Sequence, residues 1–182
     1  MIKFQFLIFM FFSFSALAEG RNNLVADDHK ENIWVVDYIT KDSIHASVNG
    51  RVTHGDRLHV RFIKGKCDIV NLITFVATYS KNPNLIKLKN KYVLSNFMGK
   101  EITAKILFTS PFLMAHRSTV DLGLMPRDFL EKTLLRENLI TMKYLDSKEI
   151  KITEYFDITE NSWVNVGLSD ALDKASTMCK KL

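Results

Sequence analysis

Five histidines, at positions 29, 45, 54, 59 and 116, and two cysteines, at 67 and 179, are the residues best suited to metal binding, nucleophilic attack or proton transfer. A zinc site needs three or four ligands converging at about 2.0–2.3 Å, and its usual sequence sign is a close pair such as HExxH or CxxC. Neither motif occurs, and neither cysteine stands beside a histidine. His54 and His59, with Asp56 between them, come nearest to a cluster; they read as a polar turn followed by an outward-facing strand residue. His116, Ser118 and Asp121 are the residue types of a hydrolase triad. In a strand, His116 and Ser118 point to one face and Asp121 to the other, so they converge only through a bulge. There is no GxSxG elbow, SxxK pair or Gly-rich phosphate loop, and seven glycines supply few cofactor loops. No catalytic residue, metal ligand or cofactor is assigned on this basis. A small secreted hydrolase stays open as an alternative, with catalytic groups drawn from distant segments.

Arg57, His59, Arg61, Lys64 and Lys66 form a basic strip along one strand face and its turn. Such a strip suits an acidic protein surface, anionic lipid or peptidoglycan carboxylates. Edge strands also carry Lys and Arg simply to block edge-to-edge aggregation, so a solvated edge competes with a partner-binding face. Trp34 and Trp163 read as core residues.

The elements that must position these groups begin after Ala18. Met1–Ala18 has one Lys, an apolar run from Phe4 to about Phe14, and small residues at Ala16 and Ala18, the pattern of a secretory signal peptide cleaved after Ala18. The run falls short of the roughly 20 helical residues that span a bilayer, so no integral membrane anchor is expected. Removing it takes six of the thirteen Phe and leaves residues 19–182 as one β-rich domain with 24 basic and 20 acidic side chains. That balance does not suggest nucleic-acid binding. In an oxidising compartment, periplasmic or extracellular, the Cys67–Cys179 pair is expected to be a disulfide.

Period-two alternation predicts strands at Ile33–Thr40, Leu58–Ile63, Glu101–Thr109 (Ile102, Ala104, Ile106 and Phe108 on one face), Phe112–Leu122, Leu139–Leu145, Glu149–Ile158 and Trp163–Val166. Ile69–Tyr79 is apolar on both parities, as in a covered central strand. Lys64-Gly65-Lys66, Ser110-Pro111 and Asp146-Ser147-Lys148 read as turns, and Ser80–Asn90 as a loop. A helix is predicted from Pro126 to Arg136 and another from a Ser169 cap, with Leu172, Ala175 and Cys179 on one face. The fold expected is mainly β, a sandwich or barrel-like structure of seven to nine mostly antiparallel strands, with two short helices, one C-terminal.

The segment Val166-Gly167-Leu168-Ser169-Asp170-Ala171-Leu172-Asp173-Lys174-Ala175 followed by Cys179 resembles the carboxy-terminal part of small exported bacterial β-sandwich proteins of the invasion-associated locus B and type VI secretion VasI types. The resemblance implies a non-catalytic envelope accessory or virulence-associated protein, linked to secretion or conjugation, whose partner is another envelope or secreted protein. It transfers no active-site residue. An inhibitor or immunity protein of an envelope enzyme suits the same small, disulfide-tied scaffold. Oligomeric state is left open.

Overall fold

The computed structural model describes residues 33–53, 55–79 and 82–182. The expected leader Met1–Ala18, His29 and His54 lie outside the described residues. Nine strands and two α-helices follow in order: β1 Val35–Thr40, β2 Ser43–Asn49, β3 Arg57–Ile63, β4 Ile69–Thr78, β5 Tyr92–Phe97, β6 Lys100–Phe112, β7 Ala115–Pro126, α1 Arg127–Leu134, β8 Leu139–Leu145, β9 Glu160–Val164 and α2 Leu168–Cys179. All the strands join one antiparallel sheet ordered β1-β2-β3-β4-β7-β6-β5-β8-β9. The fold is therefore mainly antiparallel β with two helices, one of them C-terminal, and the sheet is not closed into a barrel.

Alternation sorts each strand onto two faces. Ile44, Ala46 and Val48 of β2 stand opposite Phe62, Val60 and Leu58 of β3, and Val60 and Phe62 stand opposite Leu72 and Val70 of β4. All eight are fully buried. α2 lays Leu172, Ala175 and Cys179 against this apolar face, and the three are buried as their spacing predicts. Trp34 and Trp163 are also in the core. The Cys67–Cys179 disulfide then ties the end of α2 to the β3–β4 hairpin.

The sheet curls until β9 approaches the opposite end. Trp34 Nε1–H donates to the Val164 carbonyl (2.9 Å), and the Arg51 amide donates to the Ser162 carbonyl (3.0 Å). Asn161 of β9 accepts from the Val52 amide (3.1 Å) and donates to Asp56 (2.7 Å). Gly50 leaves room for that side chain, since a Cβ there would stand 2.5 Å from Asn161 Nδ2.

Several expected elements differ. β2 and β5 form where no strand was predicted, and β6 runs on through Ser110-Pro111, so the turn falls at Leu113-Met114 with Leu113 at φ +52°. Pro111 is tolerated because β5 pairs with β6 only as far as Lys105, leaving no ladder on that side for a missing N–H to break. A bulge between Ile106 and Phe108 reverses the alternation and leaves Phe108 exposed instead of in the core. Glu149–Ile158 is a 3-10 turn over Ile152–Glu154, not a strand. There the Asp146 carboxylate accepts from the Thr153 amide and hydroxyl, and Ser147 Oγ from the Ile150 amide, which diverts donors from any ladder. Gly167, at φ +80°, caps α2 in place of Ser169, which lies within its first turn.

Candidate functional site

The face of β2–β4 and β7 that points away from α2 carries a second, polar set of residues. Cross-strand register places them in rows: Asp37, His45, Arg61 and Asn71; then Ser47, His59, Ile73 and Asp121; then Arg57, Phe75 and Thr119; then Ala77 and Arg117. Directly opposed residues share a face with their Cβ atoms about 4.5–5.5 Å apart, so three arginines and two histidines from three strands gather on one patch.

His45 and His59 form its floor. Their Nδ1 atoms are 3.2 Å apart, one donating and one accepting, and both side chains are buried. The His59 ring packs 4.3 Å from Phe75. The Arg117 guanidinium sits 4.5 Å from the Phe75 ring and 4.5 Å from that of Phe112, held between two aromatic faces. Arg57, Arg61 and Arg117 are each half-buried. Nε of Arg57, Nε of Arg61 and Nε2 of both histidines are buried without a hydrogen-bond partner among the described residues.

The charges are unbalanced. Among the described residues, ion pairs join Arg127 to Asp173 and Glu131, and Lys143 to Glu160. None includes Arg57, Arg61 or Arg117. Burial and the Arg61 charge lower the pKa of His45; burial, then His45, Arg57 and Arg117, lowers that of His59. Burial lowers Arg57, opposed by Asp37, and burial followed by Arg57 lowers Arg117. Both imidazoles are therefore neutral near pH 7, and the cations above them repel one another. Such a patch is chemically suited to receive an anion: guanidinium groups match carboxylates through two parallel hydrogen bonds.

Of the strip expected from sequence, Arg57, His59 and Arg61 belong to this patch. Lys64 and Lys66 are exposed in and beside the β3–β4 turn, and nothing joins them to it. Two expectations are corrected. β3 is an interior strand between β2 and β4, so its arginines do not guard an edge. His59 is buried at 4 % exposure, because Phe75, His45 and the neighbouring arginines enclose it, and so it does not face solvent. His45, Phe75, Phe112 and Arg117 were missed. His45 lies on the unpredicted β2, and no local pattern announces that β7 pairs with β4.

The other candidates are structural. Asp56 accepts from the Ala77 amide (2.6 Å) and from Asn161, and burial pushes its carboxyl up to about 6. Among the described residues no group of three or more His, Cys, Asp or Glu is placed to hold a metal ion. Ser118 pairs with the Thr109 hydroxyl (2.9 Å), while Asp121 accepts from Asn71 Nδ2 (2.6 Å) and the Gly123 amide (2.8 Å) on the opposite face, so no triad assembles. An apolar hollow of about 200 Å³ between α1 and the β5–β6 turn, lined by Leu72, Phe97, Met98, Leu122, Met125 and Phe129, has Lys100, Arg136 and Glu137 at its margin.

No family model, no curated protein and no solved structure matches this chain.

Proposed function

We propose that this is an exported, non-catalytic binding protein whose Arg57–Arg61–Arg117 face receives carboxylates on the surface of another envelope or secreted protein. The observation that carries the reading is the set of three half-buried arginines on interior strands that form no ion pair among the described residues, Arg57 having only the charge of Asp37 to offset its burial. Desolvating a charge without pairing it is unfavourable, and where an arginine has a structural role in this chain, as at Arg127, two carboxylates attend it. A ligand carboxylate would supply the missing partner.

Export is supported by the leader pattern of Met1–Ala18 and by the disulfide. No helix among the described residues is long and apolar enough to cross a membrane. The accessory role follows the resemblance of the Val166–Cys179 segment to small exported bacterial proteins. Cleavage after Ala18 is checked by sequencing the amino terminus of the protein recovered from its native compartment.

The test of binding is charge reversal. Arg57→Glu with Arg61→Glu should abolish capture of the acidic partner from an envelope extract, and capture by the parent should weaken steeply as salt rises. Melting temperature, followed in parallel, separates lost binding from lost folding. Undiminished capture by a folded charge-reversal variant would overturn the reading.

A further inference from the structure

We propose that the Arg57–Arg61–Arg117 face binds its carboxylate ligand together with a proton drawn from solvent onto the His45–His59 pair, so that acidification tightens the complex. This rests on the binding reading above and adds its regulation.

The geometry leads there directly. The two rings spend their facing nitrogens on each other, Nδ1 to Nδ1 at 3.2 Å, and both distal Nε2 atoms are buried without partners among the described residues. With one bridging proton shared, one ring keeps its remaining hydrogen on Nε2 and the other presents a bare Nε2 that can accept one. A buried acceptor with nothing to accept from is a standing site for a proton.

The surroundings decide when it is filled. On β3, Arg57 and Arg61 flank His59; on β7, Arg117 lies across Phe75 from it, and Asp121 is engaged by Asn71 and the Gly123 amide. β4 contributes no titratable group to the rows, only Asn71, Ile73, Phe75 and Ala77. On β1, Asp37 stands opposite His45. Burial above all, then the Arg61 charge at His45 and the charges of His45, Arg57 and Arg117 at His59, holds both imidazoles neutral while the face is empty. An anion seated on the arginines reverses the balance, since an opposite charge within about 4–6 Å raises a cation's pKa by about 1–3 units. One proton passes from bulk water to a free Nε2, and the imidazolium then donates to the seated carboxylate. By linkage, an anion that promotes protonation is itself bound more tightly when protons are abundant.

The experiment titrates the full mature chain with a hexaglutamate peptide, and with sulfate as a probe that does not titrate, at about pH 5.5 and about pH 7.5, where glutamates remain mostly ionised. Calorimetry in two buffers of unlike ionisation enthalpy counts protons. The expected result is net proton uptake on binding and affinity on the order of tenfold higher at the lower pH, with both lost in His45→Asn and His59→Asn. Each variant's thermal melt shows whether it is folded; if one unfolds, the proton count in the parent decides alone. Tight binding that is independent of pH and releases no buffer heat overturns the proton inference and leaves the carboxylate reading standing. Failure of both probes to bind the parent, together with unchanged partner capture by Arg57→Glu/Arg61→Glu, brings down both.

Discussion

Asp56→Asn offers a direct reading of how this sheet is latched. The Asp56 carboxyl is 4 % exposed and raised from its ordinary 3.8 to about 6, with burial as the main cause and the Ala77 and Asn161 hydrogen bonds opposing it. A raised acid pKa means that the folded state holds the proton better than the unfolded chain. Its stabilisation is complete below about pH 4 and disappears as pH climbs through 6. The difference of about two units corresponds to about 3 kcal/mol. The Asn variant loses this dependence while retaining every other titrating group, so subtracting its stability from the parent's isolates the one carboxyl. It also carries a constant penalty, because Ala77 and Asn161 donate to different carboxyl oxygens and the amide turns an NH2 donor toward one of them. Thermal melts of both proteins from about pH 3.5 to about pH 7.5 should show the parent's advantage shrinking by about 3 kcal/mol, or roughly 6–12 °C for a chain of this size. An advantage that stays constant across that range would show that the carboxyl is not desolvated and that the contact between β9 and the β2–β3 loop is looser than described.

Cys67→Ser removes a cross-link over 112 residues, and the chain-entropy relation sets the expected loss at about 4–5 kcal/mol; melting temperatures that match without reductant would refute a bridge in solution. The lowered histidine pKa values act opposite to Asp56: their stability is present above about pH 6.5 and is lost as pH falls, so His45→Asn/His59→Asn should flatten the acid side of the urea midpoint against pH. Gly50→Ala forces a methyl against Asn161 and should cost about 1–3 kcal/mol, read by chemical denaturation; no change would mean that Asn161 swings away freely.

Where strand patterns were long and strictly alternating, the sequence revealed the structure: Leu58, Val60 and Phe62 on β3, the covered β4, and the Leu172–Ala175–Cys179 face of α2 all lie as spacing predicts. β2 was harder, because its core side includes a small Ala46 and its other side the polar Ser43, His45 and Ser47. Phe108 misled because a bulge is invisible to a period-two count, and Glu149–Ile158 because Asp146 and Ser147 compete for its amides. Half of the candidate site was legible as a basic strip. The other half depends on β4–β7 pairing, which joins Phe75 to Thr119 and Ala77 to Arg117, and on the burial of histidines whose polarity alone suggested exposure.

The return of β9 to the β2–β3 connection also sets an order of assembly. The β2–β3, β3–β4 and β6–β7 hairpins close short loops, whereas the Val52–Asn161 contact spans 109 residues and the disulfide 112. Loop-closure entropy slows such distant encounters. The arginine–histidine patch is complete once β7 docks on β4, so it forms ahead of the curl and of the covalent tie, and a refolding chain acquires its ligand face before its last seam is sewn.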